Sequence, residues 1–338
     1  MKIAIDTGPL KSGHKVRGVG FYTQNLIVAL GNRVTAVDFR EVDLAQYDLI
    51  HYPYFSPFQK TLPLRKPARS VVTVHDLIPL LYPKHYPPGL RGKVNFSWQK
   101  LLIKKVDHII ADSETSKKDI IKFFGVHPGK IVVVRLAPGE MFKKLVVKKH
   151  YKLPKRFVLY VGDVDYNKNI PGLIKAVKIL DIPLVMVGKQ AGEIENQDLA
   201  HPELMHLKEI LPDFKNNPKV IRLGFVSDED LVAIYNLATA YCQPSFCEGF
   251  GLPVLQAMAC GTPVVAAKTP ALMEIGESAC LYADPQDPKD MAQKIKRVLD
   301  NPSLQKDLSQ KGLKQVKKFS WTKTAQETYK VYEKALSL

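Results

Sequence analysis

The chain is poor in cysteine and has no long apolar run. Its cysteine spacing lacks the paired C-x2-C of zinc ribbons, so we interpret the four residues as small buried hydrophobes in a reducing compartment. They are Cys242, Cys247, Cys260 and Cys280. No window reaches the roughly 18 uncharged apolar residues that a membrane span needs. The start, MKIAID, is too short and too polar for a signal peptide, so we expect a cytoplasmic protein, either free or peripheral at the inner face of a membrane.

Acidic residues are also scarce relative to basic ones. The 338 residues include 49 Lys and Arg but only 33 Asp and Glu, which gives a net charge of +16. Residues 1–150 contain 25 basic and 11 acidic residues, so that half alone carries +14. Such an excess indicates an anionic partner, such as nucleic acid, an acidic membrane or phosphates. Its uneven distribution predicts two parts with separate partners.

Short apolar runs alternate with helical patterns along the whole chain. Residues 71–74 and 183–187 are nearly continuous apolar runs, typical of strands that are buried on both faces of a parallel sheet. The alternation predicts an α/β fold with two Rossmann-like, doubly wound domains that face a cleft. We place strands at 2–6, 48–52, 70–75, 107–111, 130–135, 156–162, 183–188, 219–224, 239–243, 262–267 and 279–282. We place helices at 19–30, 88–105, 113–124, 169–180, 228–238, 252–260, 287–300, 303–318 and 321–336.

A basic stretch with several prolines, residues 138–155, has little periodicity and is typical of a linker. We therefore predict one Rossmann-like domain over 1–150 and a second over 151–318. A terminal helical segment, 319–338, follows them.

The most specific segment is 244–265, PSFCEGFGLPVLQAMACGTPVV. A predicted strand leads into a glycine-rich loop, and a helix begins near Pro253, a residue suited to a first helical turn. Gly251 lets the backbone approach a ligand closely. The N–H groups of residues 250–252 lie at the positive end of the helix, where hydroxyl or phosphate oxygens bind. Glu248 falls at the carboxyl edge of the sheet, where doubly wound folds bind their ligands.

This segment resembles the E-x7-E signature of retaining family 4 glycosyltransferases of the GT-B fold, which transfer a sugar from a nucleotide-sugar to an acceptor. The resemblance implies that Glu248 contacts hydroxyls of the donor sugar. It also implies that the amides of Phe250, Gly251 and Leu252 hold the sugar and the diphosphate. The second signature position, which would hold the ribose, is Gln256 instead of Glu. Because Gln lacks the charge-assisted bond, we expect weaker or altered nucleotide binding, not its loss.

A second loop contains Lys168, where a cation could meet a diphosphate. It resembles the family's loop with a basic pair for the leaving group, and Lys168 and Asn169 are its retained core. One basic position is missing, because Asp163 or Asn167 stands where an Arg is common. Residues 163–165 also spell D-x-D, a metal-binding pattern in other sugar transferases, but we interpret them as an acidic loop that caps the next helix.

Three further segments complete the expected site. A predicted strand ends at His75, and the resemblance implies that this His faces the donor sugar. Asp76 either orients the imidazole or is a simple turn residue. Gly18 and Gly20 lack the third glycine of a dinucleotide motif, and the resemblance implies a loop that approaches the donor phosphates and the acceptor. Val226 belongs to a segment that resembles the lining of the base pocket.

The resemblance of these segments implies a metal-independent, retaining hexosyltransferase that needs no cofactor and uses a nucleotide-diphosphate sugar as its donor substrate. The candidate catalytic residues are His75, Lys168 and Glu248. The candidate donor-binding residues are Gly18, Gly20, Asn169, Val226, Phe250, Gly251, Leu252 and Gln256. The resemblance covers nearly the whole chain. It implies a nucleotide-sugar domain at 151–318, a basic acceptor domain at 1–150 and a terminal helix, 319–338, that crosses back onto the acceptor domain.

The surplus positive charge then concerns the acceptor or the surface that carries it. Phe96 and Trp98 precede Lys100, Lys104 and Lys105 in one predicted helix, a combination suited to an anionic bilayer, and this suggests a glycan or lipid-linked glycan acceptor. A solvated helix face explains the same residues equally well. A GT-B sugar-nucleotide epimerase or phosphorylase is an alternative, and a polyanion- or nucleic-acid-binding protein is an alternative of another class. Because no recognition motif for nucleic acid is present, we expect no such partner.

Overall fold

The computed structural model describes residues 2–13, 17–149 and 151–337, and the elements below are those of the described residues. The strands are β1 (Ile3–Asp6), β2 (Thr35–Val37), β3 (Leu49–Tyr52), β4 (Arg69–Val74), β5 (His108–Ala111), β6 (Ile131–Val133), β7 (Val158–Val161), β8 (Leu184–Val187), β9 (Val220–Arg222), β10 (Ala240–Gln243), β11 (Val264–Ala267) and β12 (Cys280–Ala283). The α-helices are α1 (Gly18–Leu30), α2 (Ile78–Leu81), α3 (Gly89–Leu102), α4 (Glu114–Phe124), α5 (Ile170–Leu180), α6 (Lys189–Gly192), α7 (Leu211–Asn216), α8 (Asp228–Leu237), α9 (Leu252–Ala259), α10 (Pro270–Gly276), α11 (Pro288–Asp300), α12 (Pro302–Val316) and α13 (Trp321–Leu336). Within the described ranges, no helix is both long enough and apolar enough to cross a membrane.

The chain divides into two compact units. Unit 1 comprises Met1–Pro83, Pro87–Ala137 and Phe319–Leu338, and unit 2 comprises Lys84–Tyr86 and Pro138–Lys318. The division at Ala137 lies upstream of the predicted boundary after residue 150. Residues 143–145 belong to unit 2 because the Asn236 side chain binds their backbone. The amide of Leu145 donates to Asn236 Oδ1, and Asn236 Nδ2 donates to the carbonyl of Lys143. The basic stretch predicted as a linker is therefore tied to α8 of unit 2.

Unit 1 is built on a six-stranded parallel sheet with the order β2-β1-β3-β4-β5-β6. Successive residues of a strand point to opposite faces. Ile50 and Val72 lie in a core cluster with residues of α3 and α4. From the other face, Thr73 Oγ1 lies 2.9 Å from the hydroxyl of Tyr22 in α1. Burial on both faces explains why the strands read as apolar runs.

Helix α13 packs within unit 1, against the second face of its sheet. The hydroxyl of Tyr332 lies 2.7 Å from Nδ1 of His51 in β3, and Thr324 donates to the carbonyl of Arg135 at 2.7 Å. Trp321, the first residue of the helix, packs against the ring of Phe21 at a centroid distance of 6.0 Å. These contacts bury Tyr332 completely.

Unit 2 has a second six-stranded parallel sheet, with the order β12-β11-β10-β7-β8-β9. Its core combines strand residues such as Val158 and Met186 with apolar residues of α5 and α11. Cys242, Cys260 and Cys280 are buried, as expected of small hydrophobes, whereas Cys247 is half-buried in the loop after β10. The strand order reverses between β7 and β10, so unit 2 has a topological switch point there.

Candidate active site

The two loops that the sequence singled out in unit 2 follow neighbouring strands. β7 pairs directly with β10, and the loop with Lys168 follows β7 whereas the loop with Glu248 follows β10. In open α/β sheets, ligands bind beyond the carboxyl ends of the strands at the point where the strand order reverses. The topology thus brings Lys168 and Glu248 to the edge of unit 2 where a ligand is expected.

Lys168, which is half-buried, and Glu248, which is buried, form an ion pair at this edge. Nζ of Lys168 lies 2.8 Å from Oε1 and 2.9 Å from Oε2 of Glu248. Oε1 also accepts from Ser245 Oγ at 2.7 Å and from Gln243 Nε2 at 2.8 Å. The hydroxyl of Tyr241 donates in turn to Gln243 Oε1. With 8% of its surface exposed, Glu248 is held in one orientation by several donors at once.

The electrostatic setting keeps Lys168 positively charged. Burial by itself lowers the pKa of the Lys168 ammonium, but the charge of Glu248 and its hydrogen bonds outweigh burial and raise the pKa above the ordinary range of lysine. The charges of Asp165 and Asp163 act in the same direction. A fixed cation at this edge is suited to stabilise negative charge that develops on a leaving diphosphate.

Asn169 joins three segments of unit 2. Its Nδ2 donates to the carbonyls of Pro244 at 3.0 Å and Pro285 at 2.8 Å, and its Oδ1 accepts from the amide of Gly172 at 3.3 Å. The last bond makes Asn169 the N-cap of α5. The expectation that the acidic residues 163–165 cap this helix is therefore wrong, since the Asn169 amide occupies that place. The predicted contact of Asn169 with the donor stays a prediction.

The glycine-rich loop ends at Gly251, which precedes the first residue of α9. Gly251 has a φ of 109°, in the region that favours glycine. A Cβ at this position would lie 2.7 Å from Leu272 Cδ2 and 2.9 Å from Ile275 Cδ1. Phe250 is buried, and Leu252 opens α9. The local geometry therefore requires glycine immediately before the helix start, where a ligand oxygen is expected to bind.

Gln256 and Val226 also belong to unit 2. Gln256 lies in α9 with 9% of its surface exposed, and the Tyr235 hydroxyl donates to its Oε1 at 3.2 Å. Val226 is half-buried between β9 and α8, and Ser227 next to it caps α8 by accepting from the amide of Asp230. Their predicted contacts with the ribose and the base stay predictions.

The remaining candidates belong to unit 1. His75 directly follows β4, and its Nδ1 lies 2.7 Å from Oδ2 of Asp112 while its Nε2 lies 3.0 Å from the carbonyl oxygen of Pro53. Both partners can accept hydrogen bonds, an arrangement that favours the imidazolium form of the ring. Burial lowers the pKa of His75, but the charge of Asp112 and the hydrogen bonds outweigh it and raise the pKa.

The structure separates the two roles left open for Asp76. Its Oδ1 accepts from the amide of Ile78 at 3.1 Å, so Asp76 is a turn residue, and Asp112 orients the imidazole. Sequence reasoning missed Asp112 because it lies 37 residues from His75. The strand order could have indicated Asp112, because it directly follows β5, and β5 is the parallel neighbour of β4, which ends next to His75.

Gly18 and Gly20 form the start of α1 in unit 1. Gly20 is buried, whereas a Cβ at Gly18 would meet open space. The loop before them includes residues 14–16, which lie outside the described residues. Their predicted approach to the donor phosphates and the acceptor stays a prediction.

Comparison with known proteins now identifies the family. Residues 142–315 match the family model for glycosyl transferases group 1, and residues 10–136 match that for Glycosyltransferase Family 4. The chain belongs to the group 1 glycosyltransferases. The predicted glycosyltransferase is thereby confirmed, and the epimerase, phosphorylase and nucleic-acid alternatives are not favoured.

Several relatives are bacterial mannosyltransferases. O-antigen chain mannosyltransferase B of Escherichia coli is 31% identical over 281 residues, which cover 78% of this chain and 70% of that protein. The serotype-specific mannosyltransferase WbdA of Escherichia coli is 30% identical over 277 residues, which cover 77% of this chain. The match covers only 32% of WbdA, about a third of that longer protein.

Solved structures show the fold. Sucrose-phosphate synthase from Thermosynechococcus elongatus aligns over 98% of both chains with a TM-score of 0.77 at 21% identity. Anabaena HepE in complex with UDP and glucose aligns over the whole of both chains with a TM-score of 0.76 at 18% identity. These likenesses, with the two parallel sheets, confirm the predicted GT-B fold.

Proposed function

We propose that this glycosyltransferase transfers a hexose from a nucleotide-diphosphate sugar to a glycan or lipid-linked glycan, with retention at the anomeric carbon and without a metal. The observation that carries the proposal is the ion pair of Lys168 and Glu248 at the switch point of unit 2. The HepE structure with UDP-glucose supports a nucleotide-sugar donor, and the O-antigen mannosyltransferases support a glycan acceptor.

In the proposed reaction, the acceptor oxygen bonds to the anomeric carbon as the bond from that carbon to the diphosphate oxygen breaks. The departing diphosphate oxygen takes the proton of the acceptor hydroxyl, so attack and departure occur on the same face of the sugar. Lys168 and the amides of residues 250–252 stabilise the charge on the diphosphate. Glu248 already accepts from Lys168, Ser245 and Gln243, which favours orienting the sugar hydroxyls over nucleophilic attack.

Ligand-induced stabilisation tests the donor. Binding to the folded state raises the apparent melting temperature, so we expect a shift with one member of a panel of GDP-, UDP- and ADP-sugars. Because the relatives named above are mannosyltransferases, GDP-mannose is the first donor to test. Transfer with that donor should give a product of unchanged anomeric configuration by NMR and should persist in EDTA. A panel without any shift would contradict the donor assignment; an inverted product or EDTA sensitivity would contradict the mechanism.

The surface of α3 supports a second part of the proposal, a peripheral location at the cytoplasmic face of a membrane. Four large apolar side chains recur at helical spacing along one face and are between 52% and 84% exposed. They are Leu90, Val94, Trp98 and Leu101. The opposite face of α3 is buried through Gly92, Gln99 and Leu102. The helix thus exposes a stripe of apolar side chains to solvent.

The charges around this stripe support an anionic bilayer as its partner. Residues 89–106 contain no Asp or Glu, and five basic residues accompany the stripe: Arg91, Lys93, Lys100, Lys104 and Lys105. All five are exposed. An interfacial helix with apolar residues on one side and basic residues at its flanks binds acidic headgroups and buries its apolar face among acyl chains.

Vesicle sedimentation tests this location. We expect binding to vesicles that contain phosphatidylglycerol, weaker binding to pure phosphatidylcholine, and loss of binding in the variant Val94→Ser/Trp98→Ser/Leu101→Ser. The matched control is Val28→Ser/Ile179→Ser, which removes exposed apolar side chains of α1 and α5 and should bind like the parent chain. Equal sedimentation of the triple variant and the parent chain would show that the apolar stripe of α3 does not bind the membrane.

A further inference from the structure

Three residues of the N-terminal half belong to unit 2. The chain leaves unit 1 after Pro83 and returns to it at Pro87, and Lys84–Tyr86 packs within unit 2. The hydroxyl of Tyr86 donates to Oδ1 of Asn167 at 2.7 Å and accepts from the amide of Asn167 at 3.3 Å. Tyr86 is therefore bonded twice to the residue that precedes Lys168.

Asn167 in turn joins the two loops of the candidate site. Its Nδ2 donates to the carbonyl of Cys247 at 3.1 Å, and its own carbonyl accepts from the amide of Phe246 at 2.8 Å. Asn167 is only 3% exposed. It thus lies next to Lys168 in sequence and is bonded to the two residues that precede Glu248.

Aromatic contacts also connect residues 85–86 with the two loops of the candidate site. The ring of His85 stacks on that of Tyr166 at a centroid distance of 3.3 Å and an interplanar angle of 8°. Tyr166 also packs against Phe246 at 5.5 Å. His85 and Tyr86 therefore hold the Tyr166–Asn167 pair, which in turn contacts the loop that carries Glu248.

The chemistry of Asn167 fits this arrangement. A side-chain amide offers both a donor and an acceptor, and here the donor faces the Cys247 carbonyl and the acceptor faces the Tyr86 hydroxyl. A side chain with donors only, such as that of arginine, could not accept from Tyr86. Asn at 167 thus makes the bond to Tyr86 possible.

We propose that Tyr86 is a positioning residue for sugar transfer, which acts through Asn167 to fix Lys168 relative to Glu248. This inference rests on the proposed function, because it assumes that these two residues contact the donor. A small misplacement of a positioned group lowers the rate of a reaction that depends on its orientation. The hydroxyl of Tyr86 is thus expected to affect turnover although Tyr86 itself does not touch the donor.

The test is Tyr86→Phe, which removes only the hydroxyl. We expect kcat to fall about tenfold, which corresponds to about 1.4 kcal/mol of transition-state stabilisation, with a smaller change in the KM for the donor and a melting temperature only slightly lowered by the lost bond. The control is Tyr151→Phe, which loses a hydroxyl bonded to Asp230 elsewhere in unit 2 and should keep its activity. Wild-type kcat in Tyr86→Phe would overturn the inference, as would a fall explained entirely by a lower melting temperature.

A double-mutant cycle tests whether Tyr86 acts through Asn167. If it does, Tyr86→Phe should cost much less activity in the Asn167→Ala background than in the parent chain, because the side-chain acceptor is already lost and only the 3.3 Å bond from the backbone amide of residue 167 remains. Losses that multiply would overturn the inference. If the parent chain bound no nucleotide-sugar in the thermal-shift panel, the proposed function itself would fail and this inference with it. A parent chain that is active, beside an equally active Tyr86→Phe, would reject only the role of Tyr86.

Discussion

The carboxylate of Asp112 lies 2.7 Å from Nδ1 of His75, at the carboxyl ends of two paired strands. Asp112 is buried and His75 is half-buried, and the other ring nitrogen lies 3.0 Å from a carbonyl oxygen. These contacts fix the ring orientation of His75 and favour its protonated form. Asp112 determines both properties, although it does not follow His75 in sequence as Asp76 does.

Asp112→Asn is expected to move the pH dependence of transfer. Because the pKa of His75 is raised in the folded chain, its charged form stabilises the fold below the pKa of an unfolded His, and this contribution is lost as pH rises through the folded pKa. Activity that depends on the imidazolium should fall over the same rise in pH. Without the carboxylate, the fall should begin at lower pH, as expected for loss of a close opposite charge. The measurement is kcat/KM between pH 5.5 and 9.

The matched control for this experiment is Asp76→Asn. Asp76 accepts a bond from the amide of Ile78, and its charge raises the pKa of His75 less than the charge of Asp112 does. Its pH profile should therefore shift in the same direction as that of Asp112→Asn, but by less. Identical profiles for Asp112→Asn and the parent chain would show that the charge of His75 has no part in transfer.

Lys168→Ala should separate catalysis from stability. The variant leaves the buried carboxylate of Glu248 without its cation, so it should lose about 100-fold or more in kcat and also about 1–3 kcal/mol in the free energy of unfolding. Adding Glu248→Gln removes the uncompensated charge. The double variant should regain most of the stability and none of the activity. Urea unfolding and single-turnover transfer measure the two quantities, and a double variant that recovers activity would make Lys168 purely structural.

Much of the fold was predictable because both sheets are parallel and buried on both faces. Runs such as residues 71–74 and 183–187 therefore read as strands without ambiguity. The short strand β2 was missed, since it is an edge strand and its residues Thr35 and Ala36 are exposed, so that no apolar pattern marks it. Helix α10, Pro270–Gly276, was also missed, because two turns give too little periodicity to recognise.

The sequence predicted only those site residues that belong to short, continuous sequence motifs. Glu248 and Lys168 lie in short loops whose sequence patterns carry the family resemblance. Their partners depend on which strands are neighbours and on where the chain crosses from one unit to the other. Tyr86 and Asn167 are 81 residues apart, and no periodicity connects them. Such pairs follow from tertiary structure alone.

Gln256→Glu is expected to tighten nucleotide binding. The Tyr235 hydroxyl donates to the side-chain oxygen of Gln256, and a carboxylate can accept the same bond, so the substitution should leave the fold unchanged. If the side chain faces the ribose, the carboxylate adds a charge-assisted bond and the dissociation constant should fall about fivefold to tenfold. Isothermal titration with the nucleotide-diphosphate measures it. An unchanged affinity would remove Gln256 from the nucleotide site.

Gly251→Ala should damage both the fold and the donor site. The backbone at Gly251 has a φ of 109°, and the added methyl group would approach Leu272 Cδ2 to 2.7 Å. Strain and overpacking of this kind cost about 1–3 kcal/mol each, and relief of the clash must move the start of α9, where the amides of residues 250–252 are expected to hold the diphosphate. We therefore expect a lower melting temperature together with a smaller stabilisation by nucleotide-sugar. The control is Gly13→Ala, where a Cβ meets open space, and its melting temperature should match that of the parent chain. If Gly251→Ala lost stability but kept the full nucleotide-induced shift, the helix start would not be part of the donor site.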